Sequence, residues 1–593
     1  MLLFICHNTI TRLPLQPMKK LAKSAVLLLL LTFILPVTKA WPTSFSEIQF
    51  LWIFFTDKGN IESARKKSLP YLPKRTLVRR IKSQRQPLDY NDLPVNEDYI
   101  RQVEELGAKI RYTSRWINAV TAEVSPETSK AIEKLPFVES TEPIVKYKNT
   151  IQKPPDLAPG ILSKGEMHPF YGTSARQIQQ ISADAIQNKG YYGEGIVIAV
   201  LDTGFDLAHE SLQNIRILAE YDFIYGDSDT KDTPPEDDIG QDNHGTEVLS
   251  ILAGNSPGMF IGVAPEAEYI LAKTERVSYN GTIFEQEIEE DWWIAGLEWA
   301  EINGTNVVSS SLGYSDWYSY SDMDGSTAKT TIAANIAIEK GISIVVSAGN
   351  EGKSSEWPYI SAPADGFNVI AVGAVDDSGR LADFSSIGPT YDGRIKPDVV
   401  AMGKNTYTAD PNSVDGYRQQ DGTSMATPLV AGTVALLLQA SPELIGRPEN
   451  VVKLLKFTAQ NSTSPDNRYG WGLINAQKAY EYSASPQLLE EAINWNPASQ
   501  LFSDENVKIY PNPLNRSISR NQITIYCTEN IEGVEIYNLS GLLVYKNENL
   551  GNTNTTHWDT KNNRGKEVAS GIYICIVQKS SQKIETKKIA IIR

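Results

Sequence analysis

The sequence predicts a central α/β domain on a parallel sheet covered on both faces, with a small α+β unit before it and a small β-sandwich after it. Three patterns predict this. Uninterrupted apolar runs at 196–200, 307–308, 342–346 and 369–372 are interleaved with helical spacing at 288–302 and 332–340. Strands buried on both faces read as such continuous runs. Upstream, strand and helix signals alternate over a short span, and downstream a period of two takes over. At 593 residues the chain is too long for one core, so several folding units are expected.

Taken in order, residues 1–40 read as an export signal. Lys19, Lys20 and Lys23 precede an apolar run at 25–35, and Thr38-Lys39-Ala40 offers small residues for cleavage. The run falls short of the ~20 apolar residues that span a bilayer; a retained anchor is the alternative. Within 41–153, Leu51-Trp52-Ile53-Phe54-Phe55 reads as a strand. Tyr99, Ile100, Val103 and Leu106 mark a helix over 97–106. Residues 117–124 alternate like a strand, Ser125 caps a helix over 126–135, and Phe137-Val138 opens a last strand. The unit is strand–helix–strand–helix–strand. Between Arg65 and Arg85 lie nine Lys/Arg and no acid, read as a solvated loop with an anionic surface as the alternative partner. Pro154-Pro155 and Pro159-Gly160 mark 148–167 as an exposed linker suited to proteolysis.

The central domain is placed at 154–483 and a polar linker at 484–503. In 504–593, Ile523/Ile525, Val534/Ile536, Leu542/Val544, Ile572/Ile574/Ile576 and Ile589/Ile591 alternate with other residues. Asn538-Leu539-Ser540-Gly541 reads as a hairpin turn, and a small antiparallel β-sandwich follows. The net charge of −15 argues against nucleic acid as a partner. Of Cys6, Cys527 and Cys575, none lies near the central motifs, which excludes a thiol nucleophile and a Cys-rich zinc site there. Cys527 and Cys575 fall on strands; a disulfide and two buried thiols are both open readings.

Chemistry concentrates in three segments: Val200-Leu201-Asp202-Thr203-Gly204, Asn243-His244-Gly245-Thr246 and Gly422-Thr423-Ser424-Met425-Ala426-Thr427-Pro428. Cleaving an amide with a serine hydroxyl needs a base that later protonates the leaving amine, which an imidazole with pKa near 6.5 can do. A carboxylate is needed to hold its tautomer. Duller roles exist: Ser424 and His244 each begin a helix and could cap it, and Asp202 could sit in an ordinary turn. Against the last, Asp202 ends an apolar strand, where open α/β sheets bind ligands.

These segments, with Ser347-Ala348-Gly349-Asn350-Glu351-Gly352, resemble the subtilisin-like serine peptidase (subtilase) family, whose Asp, His, Ser order they share. The resemblance spans 171–482. It implies a subtilisin-like three-layer fold for 154–483, an inhibitory propeptide for 41–153, and a secreted serine endopeptidase made as a zymogen. Ser424 would be the nucleophile, His244 the base, Asp202 its orienting group, and Asn350 with the Ser424 N–H the oxyanion donors. Ser311-Leu312-Gly313 would pair with an extended protein or peptide substrate, and Ser347-Ala348-Gly349 would wall the pocket before the cut. That chemistry requires no metal or cofactor. His209 matches a non-catalytic family histidine, and Met402 stands where many relatives have Pro. The loop carrying Asp227, Asp229, Asp232, Glu236, Asp237, Asp238 and Asp242 could hold structural calcium, as relatives often do, or simply be solvated.

Tyr510-Pro511-Asn512-Pro513 and Ala569-Ser570-Gly571-Ile572-Tyr573 resemble the C-terminal sorting domain of type IX secretion. This implies export machinery as a partner, passage across the outer membrane and a secreted or cell-surface location; carbohydrate binding is the alternative for this domain. For the whole chain the alternative is a surface binding or adhesion protein on the same scaffold, without turnover.

Overall fold

The computed structural model describes residues 48–592 except 63–71, 84–87, 145–167, 236, 280–281, 284–286, 496–506 and short stretches of the last domain. The segments read as an export signal, 1–40, and as an exposed linker, 148–167, lie outside the described residues.

The first unit is an antiparallel sheet of β1 (Gln49–Phe55), β2 (Lys109–Ser114), β3 (Ala119–Val124) and β4 (Val138–Ile144), in the order β2-β3-β1-β4. Leu51, Ile53 and Phe55 point into a core with Val103 and Ile132, from helices α2 (Glu97–Glu105) and α3 (Pro126–Ile132). Asn96 and Ser125 cap those helices through their side-chain oxygens. Two elements depart from the sequence reading. Strand β2 went unread because only Ser114 along it is buried, which leaves no clean alternation. The basic stretch contains helix α1 (Lys74–Lys82), whose Arg79 and Arg80 are buried rather than solvated. Their partner Glu301 lies far along the chain, beyond the reach of any local charge count.

The central sheet has seven parallel strands: β5 (Val197–Asp202), β6 (Arg216–Asp222), β7 (Glu268–Lys273), β8 (Val307–Ser310), β9 (Ser343–Ser347), β10 (Ile370–Val375) and β11 (Val399–Met402). Their order is β11-β10-β9-β8-β5-β7-β6. Alternate residues of β5 enter different cores. Ile198 and Val200 meet Val248 and Leu249 of α4 (Asn243–Ala253). Val197, Ala199 and Leu201 meet Trp293 and Leu297 of α5 (Glu289–Ile302) and Ala333 and Ala337 of α6 (Lys329–Glu339). Helix α7 (Thr423–Ala440) joins the first core, completing three layers. It is apolar enough to cross a membrane but almost wholly buried, so it is a core helix. Pro486–Asn494, placed by sequence in the linker, is a helix opened by Pro486, with Leu489 and Ala492 in the same core. The linker reading is corrected there; an amphipathic i, i+3 pair was hidden among polar residues.

The last unit packs two sheets. One holds β12 (Val507–Tyr510), β14 (Ile523–Cys527) and β17 (Thr555–Trp558). The other holds β13 (Leu514–Asn515), β15 (Ile531–Asn538), β16 (Leu543–Glu548), β18 (Gly571–Lys579) and β19 (Ile584–Ile592). The pairing is antiparallel except for β13 with β19, which run parallel. Cys527 and Cys575 are free and buried, and burial pushes the Cys575 thiol up to about 12.

Because β5 is covered on both faces, truncating Ile198 to Ala should leave a cavity. The expected cost is about 2–5 kcal/mol, read as a lower urea midpoint for the central domain.

Candidate active site

Parallel strands deliver their carboxyl ends to one edge. Ser310 is level with Leu201 on one side and Val346 on the other, so Asp202, Ser311 and Ser347 follow side by side. Neighbouring strands lie about 4.8 Å apart. Asp202 is fully buried, and its Oδ1 accepts from His244 Nδ1 at 2.6 Å and from the Thr203 N–H at 2.8 Å. A carboxylate accepts and does not donate, so the proton lies on Nδ1 and the neutral ring keeps Nε2 as a base. Asp202 Oδ2 is buried with no partner among the described residues, which leaves His244 and one amide to compensate the charge.

His244 is the second residue of α4, and its side chain is 32% exposed. Its neighbour must be glycine: a Cβ on Gly245 would lie 2.1 Å from the Gly204 carbonyl oxygen and 3.2 Å from Asp202 Cβ. Burial draws the imidazole pKa down, while the Asp202 charge, their hydrogen bond and the Glu247 charge raise it; the balance lies above the ordinary value. Glu247 is itself buried and held by Arg418 and Gln420.

Ser424 is the second residue of α7 and nearly buried. Its N–H belongs to the first turn, where no carbonyl four residues back can serve it. Pro428, inside the helix, lacks the N–H that would have bonded the Ser424 carbonyl. The Ser311 hydroxyl donates to that carbonyl instead, at 2.9 Å, and Ser424 Oγ donates to the Ser311 carbonyl at 3.2 Å. This reciprocal pair ties the start of α7 to the end of β8. The hydroxyl's partner here is Ser311, not His244.

Asn350 follows β9. Its Oδ1 accepts from the Thr423 N–H at 2.9 Å and the Thr423 hydroxyl at 3.0 Å. With the oxygen turned to Thr423, the amide NH2 is left as a donor beside Gly422 and Ser424. The Thr423 hydroxyl also meets the Gly349 N–H at 3.3 Å. Of the pocket segments, Leu312 and Ala348 are buried, and the Ser347 hydroxyl reaches the Leu312 carbonyl at 3.4 Å. A Cβ on Gly313 would collide with Ser361 Oγ at 2.2 Å. Sequence reading missed the parts played by Thr423, the Ser311 hydroxyl and Pro428. A proline inside an apolar helix was the one legible signal.

Other readings find their places. His209 is buried with both ring nitrogens engaged, by Ser211 Oγ at 2.9 Å and the Gly416 carbonyl at 2.8 Å. Met402 ends β11 inside the core. In the acidic loop, Asp237 binds the buried Lys273 at 2.5 Å, Asp232 accepts from the Gly240 N–H, and Asp242 from the Asp232 N–H. One oxygen of each of these carboxylates is engaged by a lysine or by the loop's own backbone, and among the described residues no three acid, His or Cys side chains converge on a metal-sized site.

The subtilase family model matches residues 193–472. Subtilisin E of Bacillus subtilis (strain 168) is 32% identical over 384 residues, covering 64% of this chain and 84% of that protein. This chain belongs to the subtilase family. The alkaline protease of Shouchella clausii is 33% identical over 382 residues, 64% of this chain and 84% of its own. Subtilisin DY of Bacillus licheniformis is 34% identical over 304 residues, 51% and 97% of the two chains. A peptidase S8 propeptide domain of Bacteroidota matches 50–157, and a secretion system C-terminal sorting domain matches 508–592. The subtilase is therefore a subtilisin-like serine peptidase with a propeptide, and its tail marks it for export to a secreted or cell-surface location.

Since Gly245 fits only without a side chain, Gly245→Ala should push His244 off Asp202. A displacement of 1 Å costs about 10² in rate, to be read in kcat/KM on a chromogenic peptide.

Proposed function

We propose that this subtilase hydrolyses peptide bonds of extended protein substrates through an acyl-enzyme on Ser424. His244 Nε2 takes the Ser424 proton as Oγ attacks the scissile carbonyl. The resulting imidazolium, stabilised by Asp202, gives that proton to the leaving amine. Water then repeats the sequence on the ester and frees the second product. The oxyanion of each tetrahedral intermediate is met by the Asn350 NH2 and the Ser424 N–H. These bond changes need only acid, base, nucleophile and dipoles, so no cofactor enters them. For attack, the Ser424 hydroxyl exchanges its hydrogen bond to Ser311 for one to the imidazole, an adjustment of the kind that accompanies substrate binding.

One observation carries the reading: the 2.6 Å bond from His244 to the buried Asp202, at the strand edge where Ser311 also anchors Ser424. A binding protein without turnover has no use for a buried carboxylate paired this way, which weighs against the adhesion alternative. The substrate backbone is expected to align with 311–313, with the residue before the cut against 347–349. Such pairing recognises main chain and tolerates many sequences. The chain is made as a zymogen, cut between propeptide and catalytic domain and exported behind a cleavable signal, and the tail addresses it to the export machine.

The direct test is labelling with a fluorophosphonate probe. Processed protein should react at Ser424 and Ser424→Ala should not; a variant that still digests casein at the wild-type rate sinks the mechanism. Asn350→Ala should lower kcat by about 10²–10³ with KM little changed, the range known from subtilisin itself.

The acid limb of kcat/KM should report His244. Activity requires neutral imidazole, so it falls as pH drops through a pKa above the ordinary 6.5. Glu247→Gln removes one of the charges that raise it, and the limb should move to lower pH.

A further inference from the structure

A cluster of propeptide charges, Arg79, Arg80 and Asp92, lies at the opposite edge of the catalytic sheet from the site just described. Thr305 precedes β8, Lys340 closes α6 shortly before β9, and Glu268 begins β7, so all three mark strand amino ends. Helices α5 and α6 finish at this edge, presenting unserved carbonyls and the negative ends of their dipoles. Helix α1 lies across it. Arg79 donates to the Thr305 carbonyl and to Glu301, and its Nε to the Lys340 carbonyl at 3.1 Å. Arg80 donates to Glu301 at 2.9 and 3.0 Å and in bidentate fashion to Asp92 at 2.8 Å. Lys340 returns the contact with Asp92 at 2.8 Å.

Both guanidinium groups and Glu301 are essentially buried, so this is no solvated surface pair. Burial lifts the Glu301 carboxyl, yet Arg79 and Arg80 hold it below the ordinary carboxylate range. The catalytic domain is also shaped for the helix: a Cβ on Gly446 would meet the Arg79 carbonyl oxygen at 2.5 Å. Lys82 adds a bond to the Pro442 carbonyl at 2.9 Å.

We propose that this amino-end face is a second propeptide-binding surface, selective for an arginine pair, that holds the cut propeptide on the enzyme independently of the cleft. It rests on the reading above that the chain is cut between propeptide and catalytic domain. Cutting there leaves the arginine anchor intact, because every bond in it lies outside the linker. Release of the propeptide, and with it the onset of activity, then requires extraction of two buried guanidinium groups from the far edge of the domain as well as parting of the propeptide sheet from α5 and α6.

The test follows full-length protein after purification, by gel, by size exclusion and by hydrolysis of a chromogenic peptide. Wild-type propeptide should co-elute with the catalytic fragment after the cut. In Arg79→Gln/Arg80→Gln it should leave about 10²-fold faster, the scale of removing one side of a buried ion pair. Both positions depart with the propeptide, so the enzyme finally released is chemically identical to wild type and its kcat/KM serves as the folding control. Should the double variant fail to fold, a synthetic peptide of residues 73–92 added to cut wild-type complex should speed propeptide loss, and its Arg79→Gln/Arg80→Gln version should not. Propeptide loss at the wild-type rate from the cut variant, or equal competition by both peptides, overturns the proposal. A chain that stays one band on the gel overturns the processing reading, and this one with it.

Discussion

A single buried carboxylate sets the terms for the catalytic domain. Asp202 is fully buried, and one of its oxygens has no partner among the described residues, so His244 and the Thr203 N–H carry the burden of compensating a carboxylate there. That demand propagates outward. His244 must sit in the first turn of α4, α4 must approach β5 closely enough that Gly245 has no side chain, and β5 must end where its neighbours end. The parallel sheet meets the last condition without special devices, since a common strand direction and register put every carboxyl end at one edge. Ser424 reaches the same edge by a different route. Pro428 opens the second turn of α7, and Ser311 takes the freed carbonyl, so the helix is pinned to β8 by side-chain chemistry.

How much of this the chain announced depends on the range of the interactions involved. Strands such as β5 and β9 were legible because burial on both faces writes a continuous apolar run. Strands β6 and β7 gave weaker signals: β6 has only Asp222 buried, and β7 opens on Glu268 and closes on Lys273. The segments around Asp202, His244, Ser424 and Asn350 stand out in the sequence because small residues flank each of them, and the close contacts at Gly245 and Gly349 give a reason for such residues there. The choice between a disulfide and two buried thiols could not be made from sequence: Cys527 and Cys575 lie in different sheets of the last unit, and spacing along the chain carries no information about distance across a sandwich. The basic stretch was read wrongly for a related reason. Arg79 and Arg80 look solvated until the acids that pair with them are found, and those are the distant Glu301 and Asp92 beyond the stretch.

The two edges of the sheet therefore do different work with the same backbone. Helices α5 and α6 lead into the following strands at the amino-end edge, so their C-terminal dipoles collect there and favour cations. At the other edge α4 and α7 begin, and their unserved N–H groups and positive ends favour negative charge, as the proposed oxyanion would require. A propeptide that must be removable gains from binding the first edge, because contacts there can be strengthened without touching the groups that perform catalysis. Arginine suits that edge better than lysine. A planar fork can take a carboxylate and a backbone carbonyl at once, as Arg79 does, and its weaker hydration lowers the cost of burial. Separating retention from inhibition in this way lets a zymogen be held firmly while its cleft keeps the geometry that peptide hydrolysis requires.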